Sequence, residues 1–84
     1  MNIIYLHGFQ SSALSIKGQQ IKAFCQQTDF QVYLPDLNMP PQQVLAYVSD
    51  MIASLDQVVL IGSSLGGFYA TQLVAKHGVP AVLI

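Results

Sequence analysis

At 84 residues and 9.1 kDa the chain is at most one small domain, which excludes a two-domain machine. Hydrophobic residues make up 52% of it and charged residues 8%, with no Arg, Glu or Trp, so it has little with which to coat a surface. Three lysines and four aspartates give a net charge of −1, which supplies none of the clustered cations that nucleic-acid phosphates or an anionic membrane surface would require.

In chain order, Ile3-Ile4-Tyr5-Leu6 is a continuous β-branched and aromatic run that fits a strand buried on both faces and ending at His7-Gly8. After the polar loop Phe9–Ser15, the segment Ile16–Gln27 sets Ile21, Phe24 and Cys25 at i, i+3, i+4 with glutamines opposite, which predicts an amphipathic helix with those three facing inward. Gln31–Leu34 reads as a short strand stopped by Pro35. Pro40-Pro41 offers a helix start, because proline lacks only the N–H that a first turn does not use. From there Val44, Leu45, Val48, Ile52 and Leu55 form one apolar stripe. Val58–Ile61 is the strongest strand, and it runs straight into Gly62-Ser63-Ser64-Leu65-Gly66-Gly67. A helix from Leu65 to His77 follows, closed by Gly78, with Lys76 and His77 near the negative end of its dipole. Pro80–Ile84 begins a fourth strand.

The order β-α-β-α-β-α-β specifies an α/β protein with a mostly parallel sheet of about four strands, and no internal repeat or linker interrupts it. With right-handed crossovers and strand order 2-1-3-4, the first helix covers one face and the other two cover the opposite face. One sheet face is then thinly dressed, which leaves self-association through that face open. The closing apolar run Val79–Ile84 sits where a buried strand is expected, so residues 1–84 read as the N-terminal portion of a larger fold. That run is far short of the ~18 residues a membrane span requires. A lone Cys25 and a start without a basic, apolar leader make the reducing cytoplasm the expected compartment.

Gly62-x-Ser64-x-Gly66 between a strong strand and a helix is the pattern of a nucleophile elbow. So tight a turn brings the positions two residues either side of the nucleophile against the neighbouring strand and helix, and only glycine fits there. Ser63 suits the role less well, since Ile61 and Leu65 would then fill the two glycine positions. A phosphate loop would need Lys after Gly67, where the chain has Phe68, and no G-x-G-x-x-G can be written through the segment. The bland alternative is a Gly/Ser-rich turn joining strand to helix.

His7-Gly8-Phe9 ends the first strand, and in an open α/β sheet ligands bind at the carboxyl ends of the strands near the switch in strand order. The loop after strand one and the turn after strand three therefore face one crevice. An oxyanion hole there needs two backbone N–H donors, and Phe9 and Leu65 are the candidates, with Gly8 letting the chain bend close. The expected role of His7 is to shape that loop by bonding backbone, and not to act as a base.

Taken together, Tyr5-Leu6-His7-Gly8-Phe9 with Ser11-Ser12 and Lys17, then Pro35-Asp36-Leu37, then Leu60–Ala70 resemble the YqiA-like esterases of the α/β-hydrolase superfamily. The resemblance implies a serine hydrolase acting on small-molecule acyl esters or thioesters, with Ser64 as nucleophile and no metal or organic cofactor. Triads of that superfamily run nucleophile, acid, histidine, so the resemblance also implies that the Asp and His follow Ile84. His77, the one histidine after Ser64, would lie roughly 20 Å away along the helix. Asp36 is expected to order its own loop through Asx-type bonds, and Asp29, Asp50 and Asp56 read as solvated positions. The isolated chain is accordingly expected to be inactive. The rival reading is a non-catalytic α/β fragment that works, if at all, by pairing with a partner or itself.

Overall fold

A computed structural model describes residues 1–8 and 15–84. Four strands and three helices alternate among them: β1 (Asn2–Leu6), α1 (Ile16–Cys25), β2 (Gln31–Tyr33), α2 (Pro41–Ser54), β3 (Val58–Gly62), α3 (Leu65–His77) and β4 (Ala81–Leu83). The sheet is parallel throughout, in the order β2-β1-β3-β4 that the sequence predicts. β1 and β3 pair over their whole length, Asn2 with Val58 through to Leu6 with Gly62, so their carboxyl ends finish side by side.

One face of this sheet is a packed core. Ile4 and Leu6 of β1 and Leu60 of β3 meet Val44 and Val48 of α2 and Tyr69, Ala70 and Leu73 of α3, all buried. The stripe predicted for α2 is the one it uses, with Leu45 and Leu55 packed at the margin. Fully burying such side chains stabilises by about 1.5–3 kcal/mol each. α3 ends as predicted: Gly78 takes the left-handed conformation (φ 70°), and its N–H bonds the Val74 carbonyl at 2.9 Å.

Among the described residues the opposite face carries only α1. Its predicted inward face is corrected here: Cys25 is buried and Ile21 half-buried, but Phe24 is 83% exposed. The helix meets the sheet through Gly18, whose α-carbon side lies against Tyr5 and Leu34, and Cys25 is two turns further along the same side. That turns Phe24 onto the rim of an open groove shared with Ile3, Phe30, Ile61 and Ile84.

Candidate active site

Ser64 stands at the N-cap of α3, immediately beyond β3, with φ 57° and ψ −124°. That region suits glycine and is rarely entered by a residue with a side chain, because the β-carbon crowds its own backbone. Neighbouring glycines hold it there. A β-carbon at Gly62 would lie 2.6 Å from the Gly66 carbonyl oxygen, and one at Gly66 would lie 1.9 Å from that of Leu6. Both separations are inside van der Waals contact, so the start of α3 can press on the ends of β1 and β3 only with glycine at both positions. Ser63, in ordinary backbone geometry, ties the turn to β1 by donating its N–H to the Leu6 carbonyl at 3.2 Å.

A serine at a helix N-cap normally spends its hydroxyl on a first-turn N–H. Ser64 makes no such bond. The Gly66 and Gly67 N–H groups are taken by the carbonyls of Ser63 and Ser64, at 2.8 and 2.9 Å, and the Ser64 side chain is left exposed at the head of the helix. Leu65 N–H, in the first turn, meets no acceptor among the described residues and lies at the positive end of the helix dipole.

Gly8 lies directly against this turn: a β-carbon there would be 2.8 Å from Ser64 Cβ and 3.3 Å from the Ser63 carbonyl oxygen. The segments after β1 and β3 thus meet in one crevice. His7, 2% exposed, fixes Gly8 in place. Its Nε2 receives the Leu37 N–H at 2.8 Å, and a backbone amide can only donate, so Nε2 is unprotonated. The proton therefore sits on Nδ1, which donates to the Gly8 carbonyl at 3.0 Å. Nε2 also lies 3.8 Å from Asp36 Oδ1, but with its lone pair engaged by Leu37 this is proximity and not an ion pair. The ring is a neutral strut between the β1 end and the β2–α2 loop.

The remaining titratable groups lie elsewhere. Asp36 is 69% exposed and accepts from the Asn38 N–H at 3.0 Å, an Asx-type bond that orders its own loop. His77, at the far end of α3, bonds Ser49 Oγ of α2 at 2.9 Å. Asp29, Asp50 and Asp56 are exposed. The chain has no other Asp, Glu or His; His7 has both ring nitrogens engaged, and His77 lies at the opposite end of α3 from Ser64. Phe9, the second expected oxyanion donor, falls outside the described residues. Among the described residues no three His, Cys, Asp or Glu side chains come together as a metal site would require.

The sequence matches the model of the uncharacterised protein family UPF0227 over residues 2–84. The chain belongs to this family. UPF0227 is the family of YqiA-like esterases that the His7-Gly8 and Gly62–Gly67 motifs resemble, and membership suggests an esterase-like α/β hydrolase. Among the described residues of this UPF0227 member, no helix is long and apolar enough to cross a membrane.

Two clefts flank the Gly8–Ser64 contact and, among the described residues, share only Gly8. One, of about 440 Å³, runs between Leu65, Tyr69 and the Leu37–Pro41 segment. The other, of about 320 Å³, is lined by Ser15, Lys17, Ser63 and Ser64 over Tyr5. Met39 carries no motif, and Leu37 and Tyr69 lie in stretches that carry the family resemblance without a role of their own being legible there; the strands and helices had to be assembled before the three became neighbours.

Proposed function

We propose that this chain carries the nucleophile and the oxyanion-hole donors of a serine hydrolase acting on acyl esters or thioesters. What supports the reading above all is Ser64, held at φ 57° by Gly62 and Gly66 with its hydroxyl exposed and uncommitted at a helix N-terminus. In the reaction, a base takes the Ser64 Oγ proton as the Oγ–C bond forms, and the carbonyl π electrons move to oxygen. Leu65 N–H, with Phe9 N–H, stabilises that oxyanion. Its collapse expels the alkoxide or thiolate, which takes up the proton, and water then repeats the sequence on the acyl-enzyme.

The base is the missing part. With both ring nitrogens of His7 bonded to backbone and His77 tied to Ser49 at the far end of α3, neither histidine is placed to accept the Oγ proton. Loss of a triad member leaves only the residual rate supplied by oxyanion stabilisation and binding. The chain alone is therefore expected to turn over p-nitrophenyl butyrate negligibly. Intact mass after incubation with a fluorophosphonate, with the adduct mapped by peptide sequencing, tests the reading directly. Slow modification confined to Ser64, accelerated by free imidazole as a surrogate base and absent in Ser64→Ala, is the expected result. Modification spread over the serines, or unchanged by imidazole, would overturn it and favour a non-catalytic α/β module.

A further inference from the structure

The two clefts that meet at Gly8 beside Ser64 have walls of different kinds. Leu37, Met39, Pro41 and Leu65 give most of the larger one an aliphatic surface, joined by Tyr69 and by the amide side chain of Asn38. The His7 ring adds no polar group to it, because both nitrogens are spent on the Gly8 carbonyl and the Leu37 N–H. The smaller cleft is instead lined by Ser63, Ser64 and Lys17, beside Tyr5, Ile16 and Ser15, whose hydroxyl already accepts the Gly18 N–H. A tetrahedral adduct on Ser64 has two organic arms besides Oγ and the oxyanion, and the two clefts give those arms their directions. Leu65 fixes the assignment further: its N–H is the oxyanion donor, and its side chain belongs to the aliphatic cleft alone.

We propose that the acyl chain of the substrate lies in the cleft between Leu65 and the Leu37–Pro41 segment, while the alcohol or thiol departs on the Ser15–Lys17 side. This rests on the serine-hydrolase reading of Ser64 and adds to it which residues select the acyl group. At about 440 Å³ the cleft is in the range of small-molecule sites, and it suits an unbranched aliphatic chain better than a polar one. Met39, half-buried on its wall, is the specificity-determining side chain.

The experiment needs no base and no turnover. In Ser64→Ala protein labelled with ¹³C at the methionine methyls, sodium butanoate, hexanoate and octanoate are titrated in turn. The Met39 methyl is expected to shift saturably while Met1 and Met51, outside the cleft, stay in place. Affinity should rise about fourfold for each methylene added until the cleft is full, the ratio that burial of one such group gives. Met39→Trp, and independently Leu65→Phe, should abolish that rise beyond butanoate. An affinity independent of chain length, or a Met39 methyl that stays in place or moves no more than those of Met1 and Met51, would overturn the assignment. Ser64 modification without titration at Met39 refutes the acyl assignment alone. Titration at Met39 without selective Ser64 modification refutes the hydrolase reading instead.

Discussion

Two of the three helices begin with a serine at the N-cap, and the two serines do opposite things. Ser15, at the head of α1, has ordinary extended geometry (φ −56°, ψ 150°), and its Oγ accepts the Gly18 N–H at 3.1 Å. Ser64, at the head of α3, is turned to φ 57° and ψ −124° and caps nothing. The residue type and the place in the helix are the same, so what differs is what surrounds the turn. α1 is free to settle into the arrangement that satisfies its own first turn. α3 is clamped between β1 and β3 by Gly62 and Gly66, and its cap serine carries backbone strain of about 1–3 kcal/mol instead of relieving an orphan N–H. A hydroxyl withheld from capping in this way is available to something else.

The largest effect comes from breaking the clamp. In Gly66→Ala the new β-carbon would overlap the Leu6 carbonyl oxygen, and because both partners are backbone, nothing can rotate away. We expect a loss of more than about 3 kcal/mol, read by chemical denaturation, or failure to fold. The adjacent Gly67→Ala is the control: its β-carbon would come no closer than 3.8 Å to any atom beyond its chain neighbours and its own helix backbone, and alanine is the better helix former. Stability there should hold or rise by up to about 1 kcal/mol. Equal losses in the two variants would show that the glycines act through flexibility and not through close approach.

Second in size is the strut that keeps Gly8 against Ser64. His7→Phe keeps an aromatic ring, though a larger one, and removes the acceptor for the buried Leu37 N–H, which should cost at least about 1–3 kcal/mol. Amide hydrogen exchange should accelerate at Leu37 well before it does in β3. The α1 cap has no counterpart of this strut, and its exchange should not move.

How much of this was legible beforehand follows from how local each cause is. The α3 bounds and the need for glycine at 62 and 66 arise from one turn and its flanking strand, so the pattern carried them, while the strand order follows from the alternation of strands and helices with right-handed crossovers. Asp36 bonding its own loop is local in the same sense. The His7 strut is half local: the Gly8 bond is to the next residue, but Leu37 is thirty residues on and reaches Nε2 only once β2 lies beside β1. The Ser49–His77 tie between α2 and α3 was equally hidden. Phe24 failed for a different reason. Its spacing with Ile21 and Cys25 marked an inner face, yet small Gly18 and Cys25 let the helix approach the sheet closely on another azimuth, and a pattern of apolar residues gives no weight to a glycine.

Next in size come two substitutions that set the serines against each other. Ser15→Ala removes a working cap and should cost about 1 kcal/mol. Ser64→Gly should do the reverse and raise stability by about 1 kcal/mol, since glycine accepts φ 57° without strain and no capping bond is lost. A Ser64→Gly variant less stable than the parent would mean that the side chain makes a contact worth more than its backbone strain.

The smallest expected change is the most discriminating. Ser64→Ala keeps the β-carbon, and with it both the strain and the contact with Gly8, and removes only an exposed oxygen that bonds no first-turn amide. Its stability should therefore stay within about 0.5 kcal/mol of the parent, the usual span for surface substitutions, while reaction with the fluorophosphonate disappears. A serine serving as a cap would show the opposite pairing, as Ser15→Ala should, with stability lost and the chemistry intact. If Ser64→Ala instead costs as much as Ser15→Ala, the hydroxyl is structural after all, and the contrast between the two helix heads collapses along with the case for a nucleophile.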